Sequence, residues 1–222
     1  MKDYPYIPYS VEKSSNEEMK QKSESFHKWA DKRRSVRDFS PKEVPLEVME
    51  NVLMTASTAP SGAHKQPWTF CLISNTSLKS KLRGLAEAEE KKSYDGRMSD
   101  SWIKDLEPLG TNWEKKFIDI APWIIVVMKK AYDFDENGKK ANNYYVSESV
   151  GIASGFLLMA IHNAGLVALT HTPSPMNFIS KALNRPDNER PYLLIPVGFP
   201  DENAKVPDLN RKSKDDIIEY YP

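Results

Sequence analysis

One cysteine, Cys71, stands in a chain of 222 residues. A single thiol excludes an intrachain disulfide and any cysteine-based metal cage. It fits a reducing compartment without requiring one. Cys71 lies in the strand-like run Trp68-Thr69-Phe70-Cys71-Leu72-Ile73 with no cationic neighbour, so it reads as a buried, inert thiol. Long apolar runs are scarce too. The one stretch of membrane length, 150–169, is interrupted by Ser154, His162 and Asn163 and weakened as a helix by Gly155 and Gly165. It reads as a buried central helix rather than a span. An excess of one charge is also missing. The 31 Lys+Arg balance 31 Asp+Glu, which argues against a broad nucleic-acid surface. No G-x-G-x-x-G, G-x-x-x-x-G-K-[ST] or G-x-S-x-G occurs, which removes weight from nucleotide loops and hydrolase triads. His27, His64, His162 and His171 are scattered, and no metal site is expected.

What is present reads as a soluble α+β chain, with 40% hydrophobic and 28% charged residues and no internal repeat. Residues 1–24 are polar, lack the apolar centre of a signal peptide, and read as an extended N-terminal extension. A single domain over 25–222 is expected to follow. Helices are expected at about 25–32 and after Pro45, where Leu46, Met49, Val52, Leu53 and Ala56 keep helical spacing until Pro60. Strand 68–74, a charged helix over 78–96 and a mobile loop over 95–112 come next. Trp123-Ile124-Ile125-Val126-Val127-Met128 predicts a strand buried on both faces. A turn at 133–138, a long apolar helix over 143–164, strand 166–170, helix 177–184 and strand 192–199 with Pro196 complete the order. The helix over 143–164 belongs in the core or in a subunit interface. The polar tail from 201 ends in Ile217-Ile218-Glu219-Tyr220-Tyr221, an apolar end suited to docking, for instance on a second subunit.

Four places could carry chemistry, each beside a plainer alternative. Arg33-Arg34-Ser35-Val36-Arg37 concentrates guanidinium groups whose forks match phosphate oxygens; the alternative is a basic helix terminus. Pro60-Ser61-Gly62-Ala63 could expose amide N–H groups to an anionic oxygen, or be an ordinary helix-to-strand turn. Glu90 and Tyr94, four apart and on one face if helical, could with Lys115 bind an amino acid zwitterion, or be surface decoration beside Glu89, Lys91 and Lys92. Thr170-His171-Thr172-Pro173 could present a hydroxyl to a ligand, or simply end a strand.

Taken together these segments resemble a known family. Arg33-Arg34-Ser35-Val36-Arg37-Asp38-Phe39 is similar to the flavin-phosphate segment of the nitroreductase superfamily. Thr58-Ala59-Pro60-Ser61-Gly62-Ala63-His64-x-Gln66-Pro67-Trp68 narrows the resemblance to iodotyrosine deiodinases. Thr111-Asn112-Trp113, Ala164-Gly165-Leu166, Thr170-His171-Thr172-Pro173, Pro196-Val197-Gly198-Phe199-Pro200 and Val206-Pro207-Asp208-Leu209-Asn210-Arg211-Lys212 extend it over about 25–219.

The resemblance implies a nitroreductase-like FMN-binding fold, a central mixed sheet flanked by helices, in an intertwined homodimer with FMN at the interface. It implies that Arg33, Arg34, Ser35, Arg37 and Arg211 bind FMN, and that Pro60, Ser61 and Gly62 approach the flavin from the opposite subunit. Thr170, His171 and Thr172 would line the ring, with the Thr172 hydroxyl at N5. Glu90, Tyr94 and Lys115 would grip the substrate zwitterion from a lid, and the Ala63 N–H would meet the phenolate. The activity implied is reductive dehalogenation of mono- and diiodotyrosine to tyrosine and halide by one-electron steps from reduced FMN. An NAD(P)H-dependent nitroreductase or quinone reductase and a non-catalytic flavin-binding protein are the alternatives. A separate reductase, ferredoxin or flavodoxin would supply electrons. Two departures stand out. Animal members carry an N-terminal membrane anchor, none is expected here, and a cytoplasmic protein follows. His171 stands where the family pattern has threonine.

Overall fold

The computed structural model describes residues 4–222. In chain order the elements are α1 (Asn16–Asp31), α2 (Leu46–Ser57), β1 (Trp68–Ile73), α3 (Thr76–Lys92), α4 (Asp100–Leu106), α5 (Phe117–Ile120), β2 (Trp123–Lys130), β3 (Tyr132–Phe134), β4 (Lys140–Asn142), α6 (Val146–Asn163), β5 (Val167–Ala168), α7 (Asn177–Ala182) and β6 (Glu189–Gly198). They fall into two units, Met1–Arg33 and Arg34–Pro222.

In the larger unit, period-two alternation along β2 divides its apolar residues between two faces. Ile125 and Val127, with Ile195 and Val197 of β6, pack against Met49, Val52 and Ala56 of α2 and against Val150, Ala153, Leu157 and Ile161 of α6. Ile124, Val126, Met128 and Leu194 face the other way, onto Leu82 and Ala86 of α3, Ile118 of α5 and Ile179 of α7. The result is helices, sheet, helices: a three-layer α+β arrangement with the core on both sides of β2 and β6. The sheet order is β1-β2-β6-β5, and every neighbouring pair is antiparallel. A parallel link enters through the isolated bridge from Ser35 to Ala168 of β5. On α6, the side away from the core leaves Ile152 and Phe156 exposed.

The structure corrects several expected boundaries. Helix α1 begins at Asn16, inside the segment read as extended. A capping box between Ser15 and Glu18 starts it, and none of its residues is buried. Local capping, rather than an apolar stripe, therefore defines that end. Pro45 is the N-cap of α2 rather than its first helical residue. The segment expected to be a loop over 95–112 contains a π-helical turn (Ser93–Arg97), then α4 capped by Ser99, then a 3-10 turn (Glu107–Leu109). At 133–138 the turn is present but is the tip of a hairpin, β3 with β4, closed by Asp135, which accepts from the Asn137 and Lys139 N–H groups. Among the described residues no helix is long and apolar enough to cross a membrane. No group of three or more His, Cys, Asp or Glu side chains among them could hold a metal ion.

Candidate active site

The arginine segment is held in place by residues far along the chain. Ser35 bridges Ala168, and the Val36 N–H donates to the Ala168 carbonyl at 3.2 Å. The Arg34 guanidinium donates to the Pro207 carbonyl. Asp38 accepts from the Asp201 N–H through its carbonyl and from the Lys205 N–H through its side chain. The strap 199–207 thus runs back along 38–40, and the exposed Arg211 follows it. Arg34, Ser35 and Arg37 are half-buried. Burial pushes Arg37 below the usual arginine range, opposed by Tyr94 and Asp38. Arg37 borders an open cleft of about 560 Å³ that Phe39, Thr111, Asn112 and Phe117 also line. Arg33 belongs to the N-terminal unit, where its N–H donates to the Ala30 carbonyl.

The three residues expected to grip a zwitterion come together, though not on one helix face. Helix α3 ends at Lys92, and Tyr94 sits in the π-helical turn, whose Gly96 takes φ 144°. Lys115, 3% exposed, pairs with Glu90 at 3.2 Å and also donates to the Asn112 carbonyl. Burial pushes the Lys115 ammonium below its ordinary pKa. Glu90 and Glu87 work against that shift, and Arg37 adds to it. The Tyr94 hydroxyl donates to the Thr111 carbonyl at 3.3 Å. Its pKa is raised by burial and by Glu90, while the Thr111 bond and Arg37 pull it down. Glu90, Tyr94, Lys115 and Arg37 therefore lie within one another's electrostatic reach.

Thr170-His171-Thr172 is extended, and its side chains alternate. Thr170 and Thr172 are exposed; His171 is buried at 8% exposure, edge-on to Phe117 with ring centroids 5.8 Å apart. The His171 backbone exchanges hydrogen bonds with Leu194, and its Nε2 has no partner among the described residues. Burial, then the charges of Lys115 and Arg37, lower its pKa from 6.5 to about 3, so the ring is neutral near pH 7. The two hydroxyls consequently share a face that the imidazole does not.

In the 60–63 loop the backbone is left-handed at Ala63 (φ 50°), and again at His64 and Gln66. Gly62 is required by close approach: a Cβ there would stand 2.9 Å from the Tyr144 carbonyl oxygen. The Gly62 N–H donates to Ser149 Oγ of α6, and the His64, Lys65 and Gln66 N–H groups are taken within the loop. The N–H of Ala63, an exposed residue, donates to no group among the described residues. The loop's partners are thus the entry of α6, not the elements that hold Arg34 and Arg37.

Sequence reasoning missed Glu87, Arg83 and Asp119, which connect α3 to Lys115 and α5. The spacing of Arg83 and Glu87 signals an ion pair, but the bond from Lys115 to Glu87 is tertiary and leaves no local mark. The donor set suits FMN. Half-buried guanidinium groups match its phosphate, two exposed hydroxyls share one face, and a buried imidazole nitrogen is left without a partner.

A nitroreductase family model matches residues 30–199. An iodotyrosine deiodinase of Haliscomenobacter hydrossis is 59% identical over 222 residues, all of this chain and all of that protein. An iodotyrosine deiodinase of Danio rerio is 48% identical over 217 residues, 96% of this chain and 73% of that protein. The crystal structure of an oxidized iodotyrosine deiodinase bound to FMN and 3-iodo-L-tyrosine is similar with a TM-score of 0.75 at 30% identity, over 88% of this chain and 98% of that one.

Proposed function

The chain belongs to the nitroreductase family and, within it, to the iodotyrosine deiodinases, and from that premise we propose that it removes halide reductively from mono- and diiodotyrosine, leaving tyrosine. The observation that carries the substrate class is the buried ammonium of Lys115 beside the Glu90 carboxylate. A free amino acid brings one charge of each sign, and this pair offers the complement of both.

FMN, once bound and reduced, supplies electrons to the carbon–iodine bond in one-electron steps. Arg34, Arg37 and Arg211 would hold its phosphate as guanidinium donors that stay charged at any physiological pH, with the neutral Ser35 hydroxyl beside them. Thr170 and Thr172 would line the ring, with the Thr172 hydroxyl as the donor available to its N5. His171 backs that segment as a neutral ring. Pro60, Ser61 and Gly62 approach the flavin from the second subunit of a homodimer. The exposed Ile152 and Phe156 of α6 and the apolar tail residues Ile217 and Ile218 suit such an interface.

The Ala63 N–H donates to the phenolate oxygen. A phenol ordinarily ionises near pH 10; ortho iodine withdraws charge and eases ionisation, so a donor tuned to phenolate favours halotyrosine over tyrosine. Lys115 meets the carboxylate, Glu90 the ammonium, and Tyr94 completes the grip. Closure of the segment 93–114 over the bound zwitterion excludes water. Electrons arrive from a separate NAD(P)H-dependent reductase, a ferredoxin or a flavodoxin, in the cytoplasm.

The test compares iodide release from diiodotyrosine under dithionite with NAD(P)H consumption on a nitroaromatic. Iodide release, with quenching of flavin fluorescence by fluorotyrosine, is expected. Absence of both, with turnover of the nitroaromatic, would sink the assignment.

A further inference from the structure

Lys115 does not reach Glu90 unaided. Its backbone N–H donates to Glu87 Oε1 at 2.7 Å, and the same oxygen accepts from Arg83 Nε at 2.8 Å. Arg83 Nη1 then donates to Asp119 Oδ2 at 2.7 Å. Arg83, Glu87 and Glu90 lie on one side of α3, at spacings of four and three. Lys115 and Asp119 flank the entry and body of α5. One helix thus grips the other at two points. A third closes the far end: Lys79 Nζ, also from α3, donates to the Asp119 and Ala121 carbonyls at 3.1 and 2.7 Å. Between the two helices the chain leaves and returns through Gly96 and Gly110, both at positive φ. The clamp therefore fixes the two roots of the segment 93–114, with a positive-φ glycine a few residues inside each root.

We propose that Glu87 is a positioning residue for substrate binding, holding the backbone of Lys115 so that the ammonium of Lys115 and the carboxylate of Glu90 are presented at zwitterion spacing. The inference rests on the reading of Glu90 and Lys115 given above. Glu87 touches neither substrate nor cofactor in this scheme; it acts through Lys115. Its carboxylate has a second consequence. The groups that face Lys115 are Glu87 and Glu90 from α3, Arg37 from the segment after α1, His171 from the segment after β5, and Tyr94, coupled to Glu90, from the π-helical turn. Burial and Arg37 favour the neutral amine, and Glu90 and Glu87 favour the ammonium. Only the ammonium binds a carboxylate. Removing the charge of Glu87 lowers the Lys115 pKa further, so binding fails at a lower pH than in the wild type.

The experiment measures steady-state deiodination and FMN affinity for the wild type, Glu87→Ala and Glu87→Gln. Two substrates are used: 3-iodotyrosine, and 2-iodophenol, which has no ammonium or carboxylate. For Glu87→Ala we expect KM for iodotyrosine to rise about tenfold, the loss expected for one charge-assisted hydrogen bond, with kcat within about twofold. FMN affinity and turnover of 2-iodophenol should not move. Glu87→Gln keeps an acceptor for the Lys115 N–H. It should bring KM back to within about threefold at neutral pH, yet show the alkaline rise in KM at a lower pH. An unchanged KM in Glu87→Ala, an equal loss on both substrates, or a Glu87→Gln pH profile identical to wild type overturns the role of Glu87. A wild type that neither binds nor deiodinates iodotyrosine overturns the zwitterion reading and this inference with it.

Discussion

Two ion pairs in the larger unit each bury one of their charges, and they are built differently. At the start of β6, Glu189 is 2% exposed and receives Arg185 through two bonds, Nε at 2.7 Å and Nη2 at 3.0 Å. Thr69 Oγ1 adds a third donor at 2.7 Å. Burial pushes the Glu189 carboxyl up, but the Arg185 and Thr69 bonds outweigh it and hold the group below its ordinary range. Just before α5, Lys115 makes one 3.2 Å contact with Glu90, and burial pushes its ammonium down. The first pair gathers three bonds on Glu189 and ties β1 to the turn before β6. The second has donor and acceptor capacity to spare, beside a histidine nitrogen without a partner. A pair whose bonds are made within the protein is structural, and removing one partner leaves the other charge uncompensated. One with bonds left over is where a charged ligand completes the structure.

That contrast can be broken. The largest effect is expected for Glu189→Ala, which leaves the Arg185 guanidinium without its partner. It should cost about 2–3 kcal/mol of stability in urea denaturation, for the Arg185 and Thr69 donors that lose their acceptor, with the substrate affinity of the folded fraction unchanged. Lys115→Gln should do the reverse. Iodotyrosine affinity is expected to fall about a hundredfold in a titration of flavin fluorescence, with FMN still bound and a smaller loss of stability than for Glu189→Ala. If Lys115→Gln unfolds the protein as readily as Glu189→Ala, the distinction between the two pairs fails.

Acid sharpens the same contrast by a smaller amount. His171 titrates from 6.5 in the unfolded chain to about 3 in the folded one, so between those values the unfolded state binds more protons. Stability tied to the neutral ring is complete above pH 6.5 and drains away as pH falls. Glu189, with a depressed pKa, holds its contribution until pH drops below the unfolded value of 4.5. From pH 6.5 to 4.5 the wild type should lose roughly 2 kcal/mol through His171. In His171→Thr that slope should vanish. Matching slopes in the two proteins would remove His171 from the account.

How much of this could be read beforehand depends on how local each feature is. β2, α2 and α6 were legible because period-two and helical spacing are written in neighbouring residues such as Ile124 to Met128. The start of α1 was written too, in Ser15 and Glu18, but its polar composition hid it. The π-helical turn at Ser93–Arg97 has no residue signature apart from Gly96, so the four-residue spacing from Glu90 suggests a helix face that Tyr94 does not occupy. Glu90 and Lys115 stood out only through the family pattern. Glu87, one charge among several on α3, did not stand out at all, because its partner is a backbone N–H from another helix.

The bridge from Ser35 to Ala168, and the bond from Arg34 to Pro207, also carry a consequence in time. A ribosome delivers the guanidinium cluster early and its structural partners late. Closing so long a loop is entropically costly and belongs to the end of folding rather than its start. The nascent chain therefore emerges with its arginines in water and no frame to hold them. On the reading that these guanidinium groups hold the FMN phosphate, that site is framed only once Ala168 and Pro207 have joined it.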